Sequence, residues 1–192
     1  MLEEVARLTA MIDTLLTIAH ADSGEVELHR TVFPLNDLVQ ESVAVVGVLA
    51  EDKKQTILVD GQSQLRVSAD RNFLRMAVIN LLDNAVKYSP VASTIRLRLS
   101  DGDATSDLAQ FVELAIEDEG PGIPEDKAAR VFDRFYRVDE GRTRDAGGAG
   151  LGLAIAKWAV ETHGGTIDLK PRLPNGSVFS IRLPSWNTPV SS

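Results

Sequence analysis

Asn80 and Asn84 are the residues of this sequence that point most directly to a chemical role. They lie one helical turn apart beside an apolar stripe, and Lys87 lies about one turn further on the same face. Buried amides need hydrogen-bonding partners, so a pair beside core residues indicates that something binds there. Amide oxygens suit Mg²⁺, which keeps several waters and bridges to substrate phosphates, and a lysine adds a point charge for a phosphate. The alternative is that the two amides cap a neighbouring loop.

Asp118 is the second candidate, because Gly120 and Gly122 follow it closely. The preceding residues 111–117 alternate apolar and polar, which is typical of a half-buried strand. A carboxylate at a strand end, followed by glycines, lets the backbone approach a flat ligand. An ionised carboxylate only accepts hydrogen bonds, so it can bind the amino group of adenine but faces an acceptor carbonyl in guanine. Taken alone, this run is more typical of a simple turn.

A third group is the glycine-rich run from Gly147 to Gly152, which opens an apolar helix predicted over residues 151–163. The free N–H groups and the positive dipole end of a helix suit phosphate oxygens. The spacing matches neither the dinucleotide-binding fingerprint nor a P-loop. A flexible linker is the alternative, and the direct junction with an apolar helix disfavours it.

These groups need a scaffold of helices and strands to bring them together. Helical periodicity is also found in residues 35–51 and 69–89, and Ser68 or Asp70 could cap the second of these helices. The predicted strands cover residues 56–60, 65–68, 94–100, 111–117, 166–170 and 178–183. This layout predicts an α/β (α+β) two-layer sandwich, with a mixed, mostly antiparallel sheet packed on helices.

In this order, the three segments resemble the N, G1 and G2 boxes of the catalytic ATP-binding domain of bacterial sensor histidine kinases. That domain belongs to the superfamily that also contains gyrase, Hsp90 and MutL. Between the G1 and G2 segments, the run from Phe132 to Arg137 resembles the F box. The resemblance covers residues 33–184 and implies that ATP and Mg²⁺ are the cofactors.

The resemblance also implies roles for individual residues. Asn84 would bind the metal, with Lys87 and Arg137 at the phosphates, and these three form the expected catalytic group. The residues that the resemblance assigns to nucleotide binding are Asn80, Asn84, Lys87, Tyr88, Asp118, Gly120, Gly122, Ile123, Phe132, Arg137, Gly148, Gly150, Leu151, Gly152 and Leu153. Ala149 departs from the family pattern, which often has Ser or Thr there, so we expect an altered affinity rather than a loss of binding.

The first residues carry a different pattern. Apolar side chains at spacings of three and four form a heptad seam: Val5, Leu8, Ile12, Leu15 and Ala19. The resemblance assigns residues 1–24 to the end of the second dimerisation and phosphotransfer helix, 25–184 to the catalytic domain and 185–192 to a tail. An ordinary amphipathic helix packed on the core is the alternative.

The three histidines, His20, His29 and His163, do not match the phosphoacceptor pattern of the family, in which an acidic residue and a proline follow. The chain is therefore interpreted as a fragment of a longer receptor. Its expected partners are a separate hairpin carrying the phosphoacceptor histidine and a response regulator, with a homodimer in the full-length kinase. The charged, glycine-rich residues 139–148 are predicted to form a lid over the nucleotide.

Composition sets limits on the function. A net charge of −8 over 192 residues argues against a nucleic-acid surface. The sequence has no stretch long enough to span a membrane. It also has no cysteine, which is consistent with the expected cytoplasmic location, as the cytoplasmic part of a membrane-bound sensor kinase. Two other functions stay open: an ATPase of the same superfamily, which would use a glutamate at the position of Asn80, and a non-catalytic nucleotide-binding module.

Overall fold

Seven strands and four helices make up the part of the chain that the structure, a computed structural model, describes: residues 27–61, 64–101, 111–138 and 149–186. In chain order they are β1 (Arg30–Pro34), α1 (Leu35–Asp52), β2 (Thr56–Gly61), β3 (Arg66–Asp70), α2 (Arg71–Tyr88), β4 (Thr94–Asp101), β5 (Phe111–Glu117), α3 (Glu125–Ala128), α4 (Gly152–Thr162), β6 (Thr166–Pro171) and β7 (Ser177–Pro184).

A five-stranded sheet with the order β2-β4-β5-β7-β6 forms one layer. Strand β2 runs parallel to β4, and every other neighbouring pair is antiparallel. Alternate residues of β5 (Val112, Leu114 and Ile116) are buried, because successive side chains of a strand point to opposite faces. The predicted mixed, mostly antiparallel sheet packed on helices is confirmed.

Helices α1, α2 and α4 form the second layer, and α2 packs against both of the others. The apolar stripe of α2 is buried: Leu74, Ala77, Val78, Leu81, Leu82, Ala85 and Val86. Asp70 caps this helix by accepting from the backbone N–H groups of Asn72 and Phe73. The helix begins two residues later than predicted, since residues 66–70 form strand β3.

A second, two-stranded sheet pairs β1 with β3. The alternation in residues 25–30 predicts a strand or an extended loop, whereas strand β1 covers Arg30–Pro34, and β3 lies in this small sheet rather than in the large one. Ser185 forms a bridge to Val67, and the N–H of Trp186 donates to the carbonyl of Arg66 at 2.8 Å. Backbone pairing therefore continues past Pro184, into the first two residues of the range 185–192 that the sequence analysis assigns to a tail.

His163 connects the ends of α2 and α4. It is 3% exposed. Its Nδ1 donates to the carbonyl of Ala159 at 2.5 Å, and its Nε2 accepts from the N–H of Asp70 at 2.9 Å. Burial lowers the pKa of this imidazole. Both ring nitrogens are engaged, so His163 has a structural role in joining these two helices.

Several predicted features lie outside the described residues. They are the heptad seam within 1–24, His20, the lid at 139–148 with its Gly148, and the remainder of the tail. The described helix α3 has only four residues and was not predicted.

Candidate functional site

Asp118 follows the last residue of β5 and is 6% exposed. Its Oδ1 accepts hydrogen bonds from the backbone N–H groups of Gly120, at 2.8 Å, and Ser177, at 3.2 Å. Burial raises the pKa of this carboxyl, while the hydrogen bonds and the charge of Arg172 oppose the rise. The result is a buried acid group with a fixed orientation at the end of a strand.

Gly176 brings the loop between β6 and β7 against the backbone of Asp118. A Cβ at Gly176, where φ is +116°, would lie 2.0 Å from the carbonyl oxygen of Asp118. Gly120 makes a similar close approach, since its Cβ would lie 2.9 Å from the Asp118 carboxylate and 3.1 Å from the carbonyl oxygen of Tyr88. Only glycine permits this density of backbone around the carboxylate.

Asn80 of α2 faces the start of α4. Asn80 donates from its Nδ2 to the carbonyl of Met76, one turn back, at 2.9 Å. Its Oδ1 is directed at Gly152, where a Cβ would lie only 2.7 Å away. Asn84 is half-buried one turn further along, and the Lys87 Nζ lies 5.2 Å from the centre of the Tyr88 ring. The structure thus brings the first and third predicted segments together.

The third segment is also joined to the Phe132–Arg137 run. The N–H of Phe135 donates to the carbonyl of Gly150 at 2.9 Å, and a Cβ at Gly150 would lie 2.8 Å from the Phe135 backbone. Helix α4 begins at Gly152, and the side chain of its N-cap residue, Leu151, makes no hydrogen bond with its first N–H groups. Such groups bind anions readily.

A sequence profile of the family described as "Histidine kinase-, DNA gyrase B-, and HSP90-like ATPase" matches residues 69–187. The chain belongs to this family. The matched range begins just before α2 and ends after β7, so it includes all the segments described above.

Named relatives within the family are sensor kinases. The "Sensor-like histidine kinase SenX3" of Mycolicibacterium smegmatis is 34% identical over 193 residues, which cover 100% of this chain and 48% of that protein. "Sensor histidine kinase CusS" of Escherichia coli K12 is 35% identical, over 96% of this chain and 37% of that protein. The chain thus spans less than half the length of these relatives and corresponds to their ATP-binding catalytic portion.

Solved structures agree in fold. The mycobacterial sensor histidine kinase MprB has 31% identity and a TM-score of 0.68, over 83% of this chain and 99% of that one. Full-length ShkA, crystallised with AMPPNP, has 26% identity and a TM-score of 0.82, over 97% of this chain and 37% of that one. No described helix has both the length and the apolar character needed to cross a membrane.

The remaining residues that the resemblance assigns to nucleotide binding lie partly in the apolar core and partly in turns beside it. The ring of Phe132 packs edge-to-face on Phe179 at 6.3 Å, and Ile123 and Leu153 also pack against the main core. Leu151 is buried in a small cluster with Ile155, Met76 and Ala149. Gly122 has a φ of +75° and meets the carbonyl of Gly176, while Arg137 is half-buried after the F box. Whether these residues touch a nucleotide stays a prediction.

Sequence reasoning missed the residues that hold the end of α2. The Lys53 Nζ donates to the carbonyls of Val86, Lys87 and Ser89 at 2.7, 2.9 and 2.9 Å. A cation at a helix C-terminus also interacts favourably with the helix dipole. The lysine thereby supports the segment that carries Lys87 and Tyr88.

Ser177 and Gly176 were missed as well. The only local signal for them was the dipeptide Asn175-Gly176, which is typical of a tight turn between two strands. Nothing in their local sequence indicates that the turn lies against Asp118, because that contact joins residues 59 positions apart.

Proposed function

We propose that this chain is the ATP-binding catalytic part of a sensor histidine kinase, which transfers the γ-phosphoryl group of ATP to a histidine on a separate helical hairpin. One observation carries the proposal: a buried, oriented carboxylate, Asp118, lies beside a helix whose polar face carries Asn80, Asn84 and Lys87. The family and the names of the sensor-kinase relatives support it.

At one end of the site, Asp118 would accept a hydrogen bond from the 6-amino group of adenine. Its Oδ1 is already fixed by two backbone donors, so the carboxylate pays little conformational entropy when the base binds. Guanine would present a carbonyl oxygen at the same place, and two acceptors cannot form a hydrogen bond. The arrangement therefore favours ATP over GTP.

At the other end, the residues fit a magnesium ion shared with phosphate. Asn84 offers a half-buried amide oxygen beside Asn80, whose own amide N–H₂ is occupied by Met76. An ion held by one protein oxygen, water and phosphate is the usual form of magnesium binding to nucleotides. When bound, Mg²⁺ would neutralise charge on the phosphate oxygens; Lys87 and Arg137 would balance the charge that develops during transfer.

A hydrolytic ATPase is the less favoured function. Such an enzyme needs a general base to activate water. The residue at the corresponding position is Asn80, a neutral amide that already donates to the Met76 carbonyl. Phosphoryl transfer to an incoming imidazole does not require Asn80 to activate water, since the acceptor supplies the nucleophile.

The partners and the location belong to the same proposal. The kinase relatives and the resemblance of the boxes support a phosphoacceptor hairpin, a response regulator, a homodimer of the full-length kinase and a cytoplasmic position for this portion.

The test is a phosphotransfer assay with γ-labelled ATP and Mg²⁺. The chain alone should bind nucleotide and label itself negligibly. A separately produced hairpin that carries the phosphoacceptor histidine of the same kinase should become labelled, at a rate that rises with its concentration. The label should be acid-labile and alkali-stable, as phosphoramidates are. Rapid phosphate release without the hairpin would instead support the ATPase.

The metal role has its own variant. Asn84→Ala should lower ATP affinity in the presence of Mg²⁺ to the value measured without it, while the fold is retained. The matched control is Asn72→Ala, which removes an exposed amide from the first turn of the same helix. Titration calorimetry with and without Mg²⁺ separates the two variants, and unchanged Mg²⁺ dependence in Asn84→Ala would exclude the metal role.

A further inference from the structure

The two glutamates that flank Asp118 share one arginine. Arg172 lies in the loop between β6 and β7, with its Nη2 3.2 Å from a carboxylate oxygen of Glu119. Its Nε lies 3.9 Å from a carboxylate oxygen of Glu117. The arginine side chain is only 21% exposed, so solvent screens these interactions only in part. Arg172 is thus tied to the residue before Asp118 and to the residue after it.

Arg172 also closes the loop that carries it. Its backbone N–H donates to the carbonyl of Gly176 at 3.1 Å, and its Nη1 donates to the carbonyl of Asn175 at 3.1 Å. The same loop supplies Gly176 and Ser177, which pack on and bond to Asp118. One side chain therefore links both of the segments that fix the carboxylate.

Glu119 extends this connection to two further elements. Its Oε2 accepts from the N–H of Thr94, the first residue of β4, at 3.2 Å. Its backbone N–H donates to the Ser89 Oγ, just after α2, at 3.3 Å. A displacement of Glu119 would disturb the strand end, the helix end and the loop together.

We propose that the Arg172–Glu119 pair is a positioning element that sets the specificity for adenine, because it holds Asp118 where the carboxylate meets the 6-amino group. Neither residue is assigned a contact with the nucleotide. The inference rests on the proposed function and names the residues that determine its base selectivity.

The physical basis is geometric, with a contribution from charge. Without the Arg172 side chain the loop loses its internal bond to Asn175 and its link to Glu119, so the Ser177 donor loses part of the support that holds it against Asp118. The positive charge of Arg172 also lowers the pKa of the Asp118 carboxyl, which favours the ionised acceptor form against the effect of burial. Both effects act on one proposed interaction, the hydrogen bond between Asp118 and the adenine amino group.

The experiment compares ATP with purine riboside triphosphate, which differs only in lacking that amino group. Arg172→Met should weaken ATP binding roughly tenfold, the factor expected for one charge-assisted hydrogen bond. The affinity for the analogue should change less than about twofold, because the lost contact does not exist for it. Arg172→Lys keeps the charge without the fork and should recover part of the preference.

The matched control is Arg182→Met. Arg182 pairs with Glu113 at 2.9 Å across β5 and β7, so the substitution breaks an arginine–glutamate pair in the same sheet. It should leave both affinities unchanged. If Arg172→Met fails to fold, Glu119→Gln should weaken ATP binding about threefold and leave the affinity for the analogue nearly unchanged. A chain with both Arg172→Met and Glu119→Gln should lose no more affinity for ATP than Arg172→Met alone, since the two residues act as a pair.

The outcomes separate the two proposals. Equal losses for ATP and the analogue, or no loss in Arg172→Met and Glu119→Gln, would overturn the positioning role while leaving the kinase proposal intact. An unaltered chain that binds both ligands equally would overturn the base contact of Asp118, and with it this inference. An unaltered chain that binds neither would overturn the proposed function itself.

Discussion

The two ends of the proposed site differ in what holds them in place. At the base end, Asp118 is buried, bonded to two backbone N–H groups and covered by the backbone of Gly176. At the phosphate end, Lys87 and Arg137 are long, half-buried side chains. Backbone donors lose little freedom when a ligand binds, whereas long side chains lose rotamer entropy. We therefore propose that the base end is preorganised, whereas the phosphate end depends on long side chains that lose more conformational entropy when a ligand binds.

This difference separates the roles of the two ends. A preorganised acceptor discriminates between bases, because a wrong partner leaves a buried group without a hydrogen bond. In the proposed function, the cations Lys87 and Arg137 would balance the charge that moves from ATP to an acceptor. We therefore expect substitutions at the base end to change stability and selectivity together, and substitutions at the phosphate end to change binding at a small cost in stability.

Gly176→Ala should have the largest effect. Its Cβ would overlap the backbone of Asp118 at 2.0 Å, at a φ that alanine rarely adopts. Backbone cannot move aside as a side chain can, so we expect a loss of about 3 kcal/mol in the free energy of unfolding, together with loss of ATP binding. Urea unfolding and titration calorimetry measure the two effects.

The control for this substitution is Gly47→Ala in α1, where the new Cβ would have no heavy atom within 4 Å beyond its chain neighbours and the backbone of its own helix. It should raise the free energy of unfolding by about 0.5–1 kcal/mol through the lower flexibility of the unfolded chain. A Gly176→Ala protein as stable as Gly47→Ala would mean that the base end is not rigid.

Asp118→Asn should weaken ATP binding by about 1–3 kcal/mol and reduce the preference for ATP over GTP. The same change should raise the unfolding free energy at neutral pH, because burial raises the pKa of this carboxyl from 3.8 and the charged form therefore destabilises the folded state. The gain should shrink as the pH falls toward 3.8, where the original carboxyl becomes protonated. An unaltered base preference would show that Asp118 does not bind adenine.

Gly152→Ala is the corresponding test at the phosphate end. The new Cβ would meet the Asn80 Oδ1 at 2.7 Å, but that atom belongs to a side chain that can rotate. We expect a loss of only about 0.5–1.5 kcal/mol in stability, the cost of a shifted rotamer, with a measurable fall in ATP affinity. A loss as large as that of Gly176→Ala would remove the contrast between the two ends.

His163 gives the smallest expected effect, and it lies away from both ends. Its pKa is lowered from 6.5 by burial, so the unfolded chain binds a proton more readily than the folded one. Its contribution to stability should be complete above pH 6.5 and should be lost as the pH falls toward the folded-state pKa. The free energy of unfolding, measured at about pH 7.5 and about pH 5.5, should change less with pH in His163→Gln than in the unaltered chain. An equal change in the two proteins would contradict the prediction.

Much of the fold followed from local patterns. The 3.6-residue period located α2 and put Asn80, Asn84 and Lys87 on one face, and alternation in β5 put Asp118 at a strand end. The capping preference of aspartate also predicted Asp70, although Ser68 was an equal candidate. These features depend on residues close together in the chain, so the sequence carries them directly.

The parts that sequence reasoning missed depend on distant residues. Lys53 contacts carbonyls 33 to 36 positions away, and Arg172 contacts a glutamate 53 positions away. Neither residue has a local pattern that distinguishes it from a solvated surface cation. Strand β1 was missed for the same reason, since its partner β3 lies beyond a whole helix. The places of the candidate side chains on their helix and strand were predictable, but the residues that support these elements were not.

The small sheet has a mechanical consequence. Strand β3 pairs with β1, near the first described residue, and also contacts Ser185 and Trp186, near the last. A force applied between residues 27 and 186 would therefore act directly on the contacts of this small sheet. Strand β3 leads directly into α2 at Asp70, so a twist imposed on the small sheet would be passed to the helix that carries Asn80 and Asn84 through a single junction.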